Sequence, residues 1–145
     1  MVRTAECACG ALKVSAEGEP SIVGACCCLQ CQRRTGSVFG VGAYFPKDKV
    51  EIVSGESKIF TRTGKEGTVS IHFCPICGSS LMSEASVFPG IRAVMVGCFG
   101  DPSFAAPQLV GWHSRNHAWV NFPPNVPVID VQLSQAEIEE VFKNH

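Results

Sequence analysis

The chain has 145 residues, 46% of them hydrophobic, with 12 Lys and Arg against 13 Asp and Glu for a formal net charge of −1. That length suits one core, and the charge balance gives no general attraction to nucleic acid. No run of about 18 apolar residues is present, so no membrane-spanning helix is expected, and the opening residues MVRTAECACG lack the apolar stretch of a secretory signal.

Residues 11–18, ALKVSAEG, alternate apolar and polar side chains with Leu12 and Val14 on one face, which predicts a strand. Further β-like runs follow at 21–27, 38–45, 50–55, 57–63, 68–73, 79–85 and 91–99. Gly and Pro punctuate them at close intervals, the rhythm of antiparallel sheets. One helical turn is expected after Cys31, running through Gln32 to Thr35 and ending at Gly36 as its C-cap. A loop-rich section from Gly100 to Pro127 holds Trp112, His113, His117 and Trp119. Ser134-Gln135-Ala136-Glu137 then forms a capping box that opens a C-terminal helix. No linker divides the chain, so residues 1–145 read as a single, mainly β domain.

Nine cysteines dominate the composition. An odd number without an export signal argues against a secreted disulfide framework, and in a reducing cytoplasm such clusters serve metals more often than disulfides. They fall into Cys7-x-Cys9, Cys26-x-Cys28-x-x-Cys31 and Cys74-x-x-Cys77, with Cys27 and Cys98 left over. In a strand, positions i and i+2 share a face. Cys26 and Cys28 are therefore expected to converge, a turn returns Cys31 to them, and Cys27 points the other way as a small buried side chain. Cys98, in the apolar run VMVGCF, is expected to pack in the core. FCPICG at 73–78 reads as a zinc knuckle, Pro75 presetting the bend and Gly78 supplying its freedom.

A knuckle contributes two ligands, and a closed tetrahedral zinc site takes four. Cys7 and Cys9 are the pair that completes it and leaves the triple set whole. The rival arrangement joins Cys28 and Cys31 to Cys74 and Cys77 in one ribbon-like site. The 42 residues between those pairs exceed the usual ribbon spacing of about 15–20.

These motifs resemble the glutathione-dependent formaldehyde-activating enzyme (Gfa) family. The resemblance rests on CACG (7–10), CCCLQCQRRTG (26–36) and FCPICGSSL (73–81), with VGCFGDP (96–102) and the Trp/His-rich stretch beyond. It covers most of residues 5–123 and leaves 124–145 as an extension. It departs at Cys27, where relatives commonly carry His, and at Gln32, often Arg. The resemblance implies a β-tent fold of antiparallel sheets. It also implies two zinc ions, a structural one at Cys7, Cys9, Cys74 and Cys77 and a second at Cys26, Cys28 and Cys31. The implied activity is condensation of glutathione with formaldehyde to S-(hydroxymethyl)glutathione, a carbon–sulfur lyase reaction in reverse. The expected partners are thus a small thiol and an aldehyde.

Three thiolates around zinc leave a net charge of −1 and favour a soft fourth ligand. A glutathione thiol bound there is expected to lose its proton and to lie beside an aldehyde carbon. Arg33 and Arg34 are the candidate cations for offsetting the added charge or binding glutathione carboxylates. A zinc-stabilised binding module without catalysis is the alternative on the same ligands. His72 reads as a strand residue, His113 and His117 as loop residues, and Trp112 and Trp119 as core or pocket walls.

Overall fold

The computed structural model describes residues 1–144. Among them, ten strands and two α-helices occur in the order β1 (Val2–Glu6), β2 (Lys13–Glu17), β3 (Ile22–Cys26), α1 (Leu29–Thr35), β4 (Gly40–Pro46), β5 (Val50–Ser54), β6 (Lys58–Gly64), β7 (Gly67–Phe73), β8 (Ser80–Ala85), β9 (Ile91–Met95), β10 (Leu109–Gly111) and α2 (Gln135–Lys143). Strands β1, β2 and β5 form one sheet in that order, and the remaining seven form a second in the order β10-β3-β4-β9-β8-β7-β6. This is the mainly β architecture with a short C-terminal helix that the sequence predicts. Antiparallel pairing prevails, but β10 runs parallel to β3, with Val110 opposite Ala25.

The core lies between the sheets. Val14, Ala16 and Val50 from the small sheet, with Leu12 just before β2, meet Val23, Ala43, Phe45, Leu81, Met82 and Val94 from the large one, all of them buried. Strand alternation then settles what the other face of the large sheet carries. With Val23 and Ala25 inward on β3, Ile22, Gly24 and Cys26 face outward. On β4, Ala43 and Phe45 are inward, and Gly42 and Tyr44 turn outward. Arg92 also fastens the sheets, donating Nη1 to the Val50 carbonyl at 2.6 Å while Nε pairs with Glu84 at 2.7 Å.

The outer face is covered by the C-terminal segment. Val110 N–H donates to Pro127 O, and Ile129 N–H donates back to Val110 O. From there the chain reaches α2, whose Ile138 is buried. The predicted capping box is present: Ser134 Oγ accepts from Glu137 N–H, and the Glu137 carboxylate accepts from Ser134 N–H at 2.8 Å. Hydrogen bonds from the Ser134 side chain and backbone hold the Glu137 carboxyl below the usual carboxylate range. A carboxyl depressed by folding stabilises above its unfolded value and loses that contribution as pH falls through the folded value. Ser134→Ala is therefore expected to cost about 1 kcal/mol of helix stability and to reduce α2's extra loss in acid, the Ser134 backbone N–H still donating to the Glu137 carboxylate. Hydrogen exchange of α2 amides against pH measures both.

Candidate metal centres

The first cysteine group joins the two sheets. Cys7 and Cys9 leave the end of β1 in a turn closed by Gly10 N–H to Cys7 O (2.9 Å) and Cys7 N–H to Leu12 O (3.0 Å). Cys74 and Cys77 occupy the turn between β7 and β8, where Gly78 N–H donates to Cys74 O at 2.8 Å. Gly78 has φ +78°, a left-handed conformation that glycine adopts without strain. Ala8 N–H donates to Ser79 Oγ at 3.1 Å and fixes one turn against the other. The four sulfurs lie within 4.8 Å of one another, with Cys7 to Cys9 at 3.6 Å and Cys9 to Cys74 at 3.8 Å. The edge of a thiolate tetrahedron around zinc, with Zn–S near 2.3 Å, is about 3.8 Å. The spacing thus fits a shared metal and lies far beyond a disulfide bond. Two sulfurs already sit in anion-favouring surroundings. Leu12 N–H donates to Cys7 Sγ at 3.2 Å. A hydrogen bond from the Ser79 hydroxyl, aided by its backbone, pulls the Cys77 thiol down to about 5.

The second group comprises Cys26, Cys28 and Cys31, whose sulfurs also lie within 4.8 Å of one another. Cys26 is the last residue of β3 and points to the outer face. Cys28 is not a strand residue: it is the N-cap of α1, and its Sγ accepts from Cys31 N–H at 3.4 Å. The helix begins at Leu29, three residues before the expected turn at Gln32, and ends at Gly36 in the left-handed conformation as predicted. The convergence of Cys28 with Cys31 is therefore a capping geometry, and strand alternation governs only Cys26. Hydrogen bonds from the Cys26 and Cys31 thiols hold Cys28 well below the ordinary thiol range, and its partner Cys26 is pushed up. No fourth His, Cys, Asp or Glu joins this group among the described residues, and it stays separate from the Cys74–Cys77 turn.

Cys27 is fully buried on the opposite side, against Ala25 and Val110. Cys98 packs at the edge of the main core and donates Sγ–H to Ser80 O at 3.4 Å. The two arginines divide. Arg33 is exposed, whereas Arg34 is half-buried. Arg34 lies over Gly40, so close that a Cβ there would meet its guanidinium at 2.6 Å. Gln32 ties α1 to the loop beyond β10. Its amide donates to Cys27 O at 2.8 Å and Arg115 O at 3.1 Å, and its carbonyl pairs with His117 Nε2 at 3.1 Å. His72 bonds Ser57 within the sheet, and His113 approaches Asp130 at 4.0 Å.

The three cysteines line a cavity of about 440 Å³ between the outer sheet face and the C-terminal segment. Trp112 is one of its walls, held at φ +53° with its indole N–H donating to Gln132 at 3.3 Å. Trp119, expected as a core or pocket wall, is instead 72% exposed. Sequence reasoning passed over Tyr44. Its ring lies across Gly24 and Gly42, paired opposite each other on β3 and β4. A Cβ at either would come within 3.4 Å of it. Two glycines in register on neighbouring strands were the available signal, since such residues mark a close approach. Burial, and then the nearby thiols, push the Tyr44 phenol up, so it stays a hydrogen-bond donor.

The model of a family described as glutathione-dependent formaldehyde-activating enzyme matches residues 2–116. A protein of Penicillium rubens, provisionally named a glutathione-dependent formaldehyde-activating enzyme, is 29% identical over 93 residues, covering 62% of this chain. The chain spans about half the length of that relative, 48% being covered. A crystal structure of a Rhodobacter sphaeroides protein matches 86% of this chain and 98% of its own, with TM-score 0.56 at 19% identity, a likeness of fold alone.

Proposed function

We propose, since the chain belongs to the glutathione-dependent formaldehyde-activating enzyme family, that it joins glutathione to formaldehyde or another small aldehyde as an S-hydroxyalkyl adduct, the reverse of a carbon–sulfur lyase reaction. The observation that carries this reading is the three-sulfur group, open on its fourth side and lining a cavity. The all-thiolate donor sets fit zinc. Cys7, Cys9, Cys74 and Cys77 would hold a structural ion, and Cys26, Cys28 and Cys31 a second. An ion held by Cys26, Cys28 and Cys31 would supply a coordination position that favours the deprotonated form of a substrate thiol.

The chain's own residues do the rest. Arg34, beside the cysteines, offsets the charge that a substrate thiolate adds, or pairs with a glutathione carboxylate. The walls of the cavity keep the thiol and the carbonyl carbon together and limit water between them. Tyr44 offers its phenol O–H as a donor within the same cavity. Nine free cysteines suit a reducing compartment such as the cytoplasm, and no helix among the described residues is long and apolar enough to cross a membrane.

The direct test is exchange NMR of glutathione and formaldehyde with the metal-loaded protein. Adduct formation faster than the uncatalysed rate is expected, and a rate equal to that of free glutathione removes the enzyme reading. The two arginines give a finer check. Arg34→Ala is expected to lower kcat/KM about 10- to 100-fold, the range for losing one charged hydrogen bond, with Arg34→Lys in between. Arg33→Ala is expected to change it less than twofold.

A further inference from the structure

The cavity beside the three cysteines must also admit the glutathione thiol, so its volume alone selects no aldehyde, but much of its inner lining is apolar. The outer sheet face contributes Ile22, Ala93 and Leu109, and the far end is closed by Phe88, Ile138 and Phe142. Tyr44, Phe88 and Phe142 pack edge to face there, with centroids 5.4–5.9 Å apart. Of the charged residues that also line it, Glu66 and Arg115 are exposed and stand at its rim, while Arg62 of β6 is half-buried. The far wall belongs to α2, where Ile138, Val141 and Phe142 follow the i, i+3, i+4 spacing of one helix face. That helix lies beyond the residues the family model matches, which end at 116.

From this geometry we propose that the site takes an aldehyde with an apolar body, a linear alkyl chain of about four to seven carbons or one aromatic ring, its carbonyl at the cysteines and its tail against the Phe88–Phe142 end. The inference rests on the proposed thiol–aldehyde reaction. In that reaction the S–H bond of glutathione breaks and a carbon–sulfur bond forms at the carbonyl carbon. The π pair of the C=O bond moves to oxygen, which takes up the proton, so no oxidant or reductant is needed. The apolar wall changes only which aldehyde is held.

A homologous series tests it, because the intrinsic reactivity of linear aldehydes barely changes beyond propanal while each added methylene buries more apolar surface. With glutathione saturating, kcat/KM is expected to rise up to about fourfold per methylene from propanal to heptanal. In parallel, the unreactive alcohols from propanol to heptanol are titrated against tryptophan fluorescence, since Trp112 lines the cavity. Their affinity should climb in the same steps. Ala85→Phe, which fills the cavity, is expected to flatten both series. Phe142→Ala, should the first variant fold poorly, is expected to remove the gain for the longest chains. Formaldehyde turnover with flat aldehyde and alcohol series overturns this inference and leaves the proposed reaction standing. Chain-length-dependent alcohol binding with no turnover of any aldehyde supports the apolar chamber and removes the reaction instead.

Discussion

Cys77→Ser is expected to leave the protein largely unfolded, or to lower its Tm by more than about 15 °C, and to reduce bound zinc by at least one ion per chain. The side chain itself gives no reason for so large an effect. Cys77 is exposed, and a serine at a surface position ordinarily changes stability by less than about 0.5 kcal/mol. What it contributes is a fourth thiolate to Cys7, Cys9 and Cys74. Those residues come from turns that follow β1 and β7, one in each sheet, so an ion held there closes a loop of some sixty-five residues. Apparent binding energies for structural zinc reach about 10–16 kcal/mol in small peptides, comparable to the whole stability of a domain. Three remaining thiolates bind a structural ion less tightly, and the buried Cys7–Cys74 side is then left with unmatched charge. Thermal unfolding followed by circular dichroism, together with metal analysis, gives the answer. A Cys77→Ser protein that keeps its Tm within a few degrees would show that the four sulfurs hold no structural metal.

How much of this arrangement could be read from the chain depends on the range of the signal. Strand Lys13–Glu17, whose burial alternates, appears within two residues of expectation because period-2 burial is local. β1 was missed, since VRTAE buries only Ala5. β10 was missed for a different reason: three residues are too few to show a period, and its parallel partner β3 lies more than eighty residues away. The run expected at 91–99 stops as a strand at Met95 and turns into a short 3-10 helix, ended by Gly100 at φ +62°. Partition of the cysteines into four and three was legible because the ligand count of zinc is a chemical constraint independent of fold. The mechanism of convergence was not. Cys28 works as a helix cap, which depends on where α1 starts, and helix boundaries are among the weakest sequence signals. The cavity was the least legible feature of all. It arises where residues 129–142 cross the outer sheet face, and that placement depends on long-range backbone pairing such as Ile129 with Val110.

The capping role of Cys28 makes its replacement by serine unusually informative. Serine is among the best N-cap residues, so the hydroxyl can take over the hydrogen bond from Cys31 N–H and α1 should keep its start. Cys28 is also only half-buried, outside the main core, so no large cavity follows. The protein is therefore expected to fold, with near-wild-type circular dichroism and the zinc of the four-cysteine site retained. The change removes a soft thiolate from a three-sulfur group and replaces it with a hard, neutral oxygen that binds soft metals poorly. Zinc content should fall from about two per chain to about one, and glutathione-dependent adduct formation should drop at least about 100-fold. The contrast with Cys77 is what gives the pair its force. Both changes are single sulfur-to-oxygen swaps in similar motifs, but one should remove the fold and the other only the chemistry. Cys27→Ser serves as the matched control, since its buried sulfur faces Ala25 and Val110 and stands outside both groups. That variant should lose some stability and keep both ions. If Cys28→Ser retains two ions and turnover within threefold of wild type, the three-sulfur group is not where the reaction takes place.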